Sequence, residues 1–240
     1  PLRDEPYFEL RDLVFARLDI FDRQYKQYLL DRLAELCSLR VLSGNSQFNK
    51  EVFEIRKKLV EEELFTDGES KSIRLSKFRT TFIEALNLRE INWAEFFYKK
   101  YLDRLNPSVI EDVKLYCEAR ISYERNDPDK AIEFAVKANI DQVFFKLDLK
   151  NLLAKAYYDT SSVESLYSLL NTYYQFIRNS GKSKETFFKR HANFVKFMKK
   201  LASIRFGVNH TEDVGLLENE LAKANVSAKS WLIDRIGHLK

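Results

Sequence analysis

The chain has 240 residues, of which 45% are hydrophobic and 32% are charged, and its net charge is +4. The hydrophobic residues suffice to fill a core and the charged ones to coat a surface, and the net charge is too small to support a general claim of nucleic-acid binding. The two cysteines, Cys37 and Cys117, lie far apart in the chain without paired spacing, which excludes a disulfide framework and a zinc site.

The unpaired cysteines favour a reducing compartment, and we therefore expect a cytoplasmic protein. No run of about 18 apolar residues is present, so the sequence predicts no membrane span. The chain begins at Pro1 and not at methionine. We expect either a processed chain or a piece of a longer protein.

Helical periodicity runs through the chain, and no segment predicts a strand. Glycine and proline are scarce, with six and four residues, which favours long helices and short connections. The predicted helices cover 7–21, 23–42, 48–64, 73–88, 92–105, 109–124, a segment opening at 127–128, 143–158, 166–177, 183–206, 211–224 and 228–239.

Polar residues mark where several of these helices begin. Asp22 precedes the second helix, and Asn106 and Asp127 are each followed by a proline, an arrangement typical of a helix start. Ser161 and Glu164 have the spacing of a capping box, in which each side chain reaches a free backbone amide.

Three short segments, 93–97, 130–134 and 164–168, echo one another. Their small residues Ala94, Ala131 and Ser165 are separated by 37 and 34 residues. Each follows a polar turn and opens an apolar helical pattern, which is typical of stacked helical hairpins. Each hairpin leaves an apolar face that the next one covers.

The middle unit carries small residues and an aromatic at fixed spacing: Ala119, Ala131, Phe134 and Ala138. This pattern resembles the tetratricopeptide repeat, although Phe82 and Leu153 stand where the neighbouring units would need a small residue. The resemblance covers residues 73–177. It implies an all-α fold, an α-α superhelix or solenoid of stacked antiparallel helix hairpins.

Segments 87–95, 141–148 and 229–232 resemble a group of bacterial helical-repeat proteins with no known activity, which implies a helical fold and nothing about chemistry. We expect one helical-repeat domain over 1–240. N-terminal helices would span 1–66, tetratricopeptide-like repeats 73–206 and capping helices 211–240, with the polar segment 66–72 as a loop or joint. Trp231, Leu232 and Ile236 would close the end of the stack.

The segment 182–205 is the most basic part of the chain, with eight lysines or arginines and one acidic residue. Lys182, Lys189, Lys196 and Lys200 fall in a narrow sector of the predicted helix 183–206. Such a stripe would bind phosphates or an acidic protein. The alternative is a solvated face, neutralised by acids of a neighbouring helix, and charge runs most often have this role.

The histidines His191, His210 and His238 are widely separated, and no pair has metal-ligand spacing. We expect them at the surface or its boundary. The two cysteines lie on apolar helix faces, which predicts buried, inert thiols. No phosphate loop, nucleophile elbow or dinucleotide fingerprint is present, so we expect no enzyme, cofactor or metal.

These features predict a protein-interaction scaffold that presents a concave helical surface to a protein or peptide partner. Exposed aromatic residues on the inner helices would anchor the partner, and Tyr98, Tyr116 and Tyr157 are the candidates, with core packing as their alternative role. The second hypothesis is a binder of nucleic acid or an anionic surface through helix 183–206.

Overall fold

The computed structural model describes residues 5–66, 68, 71–180, 185–207 and 214–239. Over these residues the chain forms twelve α-helices and no β-strand, which confirms the all-α prediction. Among the described helices, none combines the length and the apolar character that crossing a bilayer requires.

The chain divides into two compact units, Pro1–Ile110 and Glu111–Lys240. The first unit contains α1 (Glu5–Ala16), α2 (Arg23–Leu42), α3 (Phe48–Glu61), α4 (Leu75–Asn87) and α5 (Ile91–Tyr101). α6 (Ile110–Glu124) begins at the boundary and is followed by α7 (Pro128–Lys137), α8 (Val143–Asp159), α9 (Val163–Asn179), α10 (Thr186–Phe206), α11 (Val214–Lys223) and α12 (Lys229–Gly237). The expected run of repeats over 73–206 therefore has residues in both units, and the boundary does not fall at the polar segment 66–72.

Three of the predicted helix starts are made by capping side chains. The Asp22 carboxylate accepts a hydrogen bond from the Tyr25 amide at 2.8 Å, and Asp127 accepts one from the Lys130 amide at 3.1 Å. Asn106 accepts one from the amide two residues on, at 3.0 Å, and opens the 3-10 turn Pro107–Val109. These bonds satisfy amides that a helix start leaves unpaired.

The capping box predicted for Ser161 and Glu164 is wrong. Ser161 has a positive φ of 57°, so its backbone turns the chain just before the helix. Ser162 is the residue that precedes α9, and its side chain makes no capping bond. Its hydroxyl is instead 2.9 Å from the hydroxyl of Thr160.

Aromatic side chains dominate the core of the first unit, in which α2 packs on α3, α3 on α4 and α4 on α5. Phe97 is fully buried. Its ring lies 5.1 Å from that of Phe65 and 5.3 Å from that of Phe78, measured between centroids. Such ring pairs each contribute about 0.5–1.5 kcal/mol beyond the area they bury.

In the second unit α7 to α10 pack in chain order, and α10 also contacts α8, α11 and α12. The small residue of the middle echo, Ala131, is buried, as is Ala94 in the first unit. Ser165 is exposed, and the next residue, Leu166, takes the buried position. In the third segment, 164–168, the buried position is therefore one residue later than the spacing of the small residues predicts.

Candidate functional site

The aromatic residues predicted to anchor a partner lie mostly in the interior. Tyr98 and Tyr116 are buried, and the Tyr116 hydroxyl donates to the Asp148 carboxylate at 2.8 Å. Tyr157 is partly buried against the core of the second unit. Tyr98 and Tyr116 therefore pack in the core, which was their alternative role. Neither presents an accessible ring to a ligand.

The basic helix 183–206 corresponds to α10, and its lysines differ in what they contact. Lys200 forms an ion pair of 2.8 Å with Glu220 of α11, as the solvated-face alternative expects. Lys189 and Lys196 are exposed, and neither has a carboxylate within 4 Å among the described residues. Lys182 lies outside the described residues.

His191 is buried, so the expectation of a surface or boundary position is wrong for this residue. Its Nδ1 lies 2.7 Å from the Tyr173 hydroxyl and 3.1 Å from the Asn151 side-chain nitrogen. Asn151 also donates to the Ser227 hydroxyl at 3.0 Å. These groups join α8, α9, α10 and the segment before α12 through hydrogen bonds, which is how buried polar groups stay stable.

The remaining histidines and the cysteines offer no reactive centre. His238 is exposed and contacts Asp234 of its own helix, and His210 lies outside the described residues. Cys37 and Cys117 are buried as predicted, and burial raises the pKa of both thiols, so they remain protonated. No group of three metal-binding side chains occurs within the described part of the chain.

A polar cluster that the sequence did not reveal lies where α6, α8 and α12 meet. Lys155 of α8 is only 8% exposed, and its ammonium sits 4.2 Å from the centre of the Tyr123 ring. No described carboxylate lies within 4 Å of this ammonium. Burial, and then repulsion from Arg120, lowers the pKa of Lys155 to about 7.

The C-terminal helix closes this cluster. Trp231 donates from its indole nitrogen to the Tyr123 hydroxyl at 2.6 Å, and that hydroxyl donates to Asp159 at 2.7 Å. Arg235 donates to the other oxygen of Asp159 at 2.8 Å. Leu232 is buried in the C-terminal core as expected. Trp231 packs against the same core and also reaches back to α6 and α8, so α12 covers part of these two helices.

An apolar stripe remains open on α2 in the first unit. We call it the α2 outer face; its apolar side chains are between 45% and 63% exposed. They are Tyr25, Tyr28, Leu36 and Leu39. At about 100° per residue they fall within a sector of about 80°, which also contains Arg32. The Arg32 guanidinium lies over the Tyr28 ring at 5.5 Å and pairs with Glu35 at 2.8 Å.

The other side of α2 packs on α3 through an equally apolar surface. Leu30, Leu33 and Cys37 are buried there. α2 is thus apolar on two faces: one packs on α3, and the side chains of the other are 45–63% exposed.

Sequence reasoning missed both the cluster around Lys155 and the α2 outer face, for identifiable reasons. Lys155 lies between two alanines in an apolar helix, and charges that act on it come partly from Arg120 and Glu124 of α6 and Arg235 of α12, which are distant in the chain. The two-sided pattern of α2 was readable at helical spacing, but apolar positions alone do not reveal which face is covered.

Comparison of the chain with protein-family models, curated proteins and solved structures gives no match.

Proposed function

We propose that the chain is a non-enzymatic protein-interaction module of the tetratricopeptide-like, superhelical class, and that its α2 outer face binds an apolar helix of a partner protein. The observation that carries this proposal is the exposure of Tyr25, Tyr28, Leu36 and Leu39 on one side of a single helix. Exposed apolar side chains scattered singly need no explanation, whereas a contiguous row marks an interaction site.

The shape of the stripe favours a helical partner. From Tyr25 to Leu39 the axis advances about 21 Å at 1.5 Å per residue. An amphipathic helix of three to four turns matches this length and places its own apolar residues at the same spacing. Arg32 lies within the stripe and Glu35 beside it, one charge of each sign, so polar contacts would fix the partner's orientation more than its affinity.

The stripe alone supports only modest affinity. Completing the burial of four half-exposed side chains contributes about 1 kcal/mol each, or on the order of 4 kcal/mol in total. Association costs at least that much in lost freedom of motion. We therefore expect a transient complex, or an interface that also uses residues beyond α2.

The test compares capture by the purified wild-type chain with capture by the double variant Tyr28→Lys and Leu39→Lys. Val136→Lys is the matched control, because Val136 is 58% exposed on α7, a helix of the second unit. We expect the wild type and the control to capture the same partner protein, and we expect the double variant not to capture it. In the complex, hydrogen exchange of α2 amides should slow.

Equal recovery by the double variant, with unchanged helical circular dichroism, would refute the proposal. So would a wild-type chain that forms a dimer by light scattering and that Leu39→Lys converts to a monomer. In that case the stripe binds a second copy of the chain and not another protein.

A second candidate function is supported by α10, where Lys189 and Lys196 are exposed seven residues apart on the same side. Two exposed cations on one helix face, neither within 4 Å of a described carboxylate, favour an anionic surface or nucleic acid. Affinity for such a surface would fall steeply with salt and would weaken on charge reversal at both positions. A flat salt response would exclude it.

A further inference from the structure

The first unit contains a cleft of about 560 Å³ between the start of α2, the loop after α3 and the end of α5. Polar and charged side chains form most of its wall. The described lining residues are Arg23, Gln24, Gln27, Glu63, Thr66, Gly68, Lys71, Lys100, Tyr101 and Arg104. The volume lies within the usual range for sites that hold a small molecule.

The described wall of this cleft is strongly cationic. Arg23, Lys71, Lys100 and Arg104 line it, and Glu63 is the acidic residue among the described lining. The Arg23 guanidinium donates to the Glu63 backbone oxygen at 2.6 Å, which orients the arginine without neutralising it.

The other cations of the wall are free to meet a ligand. Within the described ranges, no carboxylate approaches the charged ends of Lys71, Lys100 or Arg104 to 4 Å. Lys100 lies over the rings of Phe96 and Tyr101, at 5.6 Å from each centre. Ring contact steadies an ammonium but leaves its hydrogens available.

The hydroxyl of a mostly buried tyrosine points to the same conclusion. Tyr101 lines the cleft and is only 4% exposed, and its hydroxyl has no hydrogen-bond partner among the described residues. Burial raises the pKa of this phenol to about 12, with charges on Glu63, Arg104 and Arg23 also acting on it. The hydroxyl therefore keeps its proton at neutral pH, lies near both arginines and can donate to an anion.

We propose that this cleft binds a compact polyanion that carries at least two phosphate groups. Two guanidinium forks match phosphate oxygens in paired geometry, and two ammonium groups add charge without a directional demand. The Tyr101 hydroxyl supplies a neutral donor, and Gln24 and Gln27, which also line the cleft, carry side-chain amides. A ligand of charge near that of diphosphate balances the described wall.

The experiment measures binding of inorganic diphosphate to the whole chain by calorimetry at low salt. We expect Arg104→Gln to weaken binding at least tenfold and Tyr101→Phe about three- to tenfold. Lys50→Gln removes the same charge from an exposed position on α3 outside the cleft, and should change binding less than twofold. Citrate serves as the carboxylate counterpart and should bind at least tenfold more weakly.

Stability measurements separate a binding defect from misfolding. Tyr101→Phe keeps the ring contacts with Phe65 and Phe97, and it removes only a hydroxyl without a partner. Its melting temperature should therefore equal that of the wild type or exceed it. Loss of diphosphate binding in such a variant identifies the hydroxyl as a ligand donor.

Three results would overturn the proposal. The first is no binding of diphosphate at millimolar concentration. The second is equal weakening by Lys50→Gln and Arg104→Gln, which would reveal a general charge effect. The third is citrate binding as tight as diphosphate binding. These variants leave the α2 outer face intact, so the outcome is independent of partner binding there.

Discussion

Replacing Lys155 with methionine should change the pH dependence of stability in a defined direction. The side chain is almost fully buried, and burial lowers the pKa of its ammonium from the ordinary 10.5 to about 7. Arg120 and Arg235 also disfavour the charged form, whereas Glu124 and Asp159 favour it. Methionine keeps the length of the side chain and removes the charge.

The direction follows from proton counting. Between about pH 7 and pH 10.5 the unfolded chain binds a proton at Lys155 that the folded chain releases, so stability rises with pH. Below pH 7 the lysine is charged in both the folded and the unfolded chain. Burying that charge then lowers the stability of the folded chain by its full amount. Each pH unit within the window is worth about 1.4 kcal/mol, so the step from pH 7 to pH 9 is worth about 2–3 kcal/mol.

Urea unfolding at pH 6, 7, 8 and 9 measures this effect as the difference between Lys155→Met and the wild type. We expect the stability advantage of the variant to shrink by about 2–3 kcal/mol from pH 7 to pH 9. Lys130→Met, at an exposed position on α7, should show no such trend. If the free energies of unfolding of Lys155→Met and the wild type differ by the same amount at every pH, burial does not lower the pKa of Lys155 and the reasoning is refuted.

Three further substitutions test the packing. Phe97→Ala should destabilise the chain by about 3–5 kcal/mol, because it empties a fully buried site ringed by aromatic side chains; urea unfolding checks this value. Tyr173→Phe should cost about 1–3 kcal/mol, because its hydroxyl is 3.0 Å from Asn151 and 2.7 Å from His191, and a neutral result would argue against that network. Asp127→Ala should cost about 0.5–2 kcal/mol through loss of the cap on α7, seen as a lower melting temperature.

The helices themselves were predictable, because helical spacing of apolar residues and helix-starting side chains act locally. The predicted segment 109–124 is observed as Ile110–Glu124, and 143–158 as Val143–Asp159. Asp22 and Asp127 cap helices as expected. The prediction that Ser161 caps a helix was wrong because this residue adopts a positive φ. Residue spacing alone does not specify that backbone conformation.

The candidate sites were less predictable, because they depend on contacts between distant segments. The environment of Lys155 requires α12 to fold back so that Arg235 meets Asp159. Tyr98 and Tyr116 have the same apolar spacing whether they fill a core or face a ligand. The cleft around Tyr101 joins residues from α2, the loop after α3 and α5, and no motif in the sequence links them.

The central claim, that the α2 outer face binds a helix of another protein, is tested most directly by site-specific photo-crosslinking. A photoreactive amino acid would replace Leu39, which is 63% exposed, and in a control chain Val136, which is 58% exposed. The account predicts that position 39 crosslinks to an amphipathic helix of one other protein and that position 136 does not. Crosslinks at position 39 no more frequent than at position 136, or only to a second copy of this chain, would contradict it.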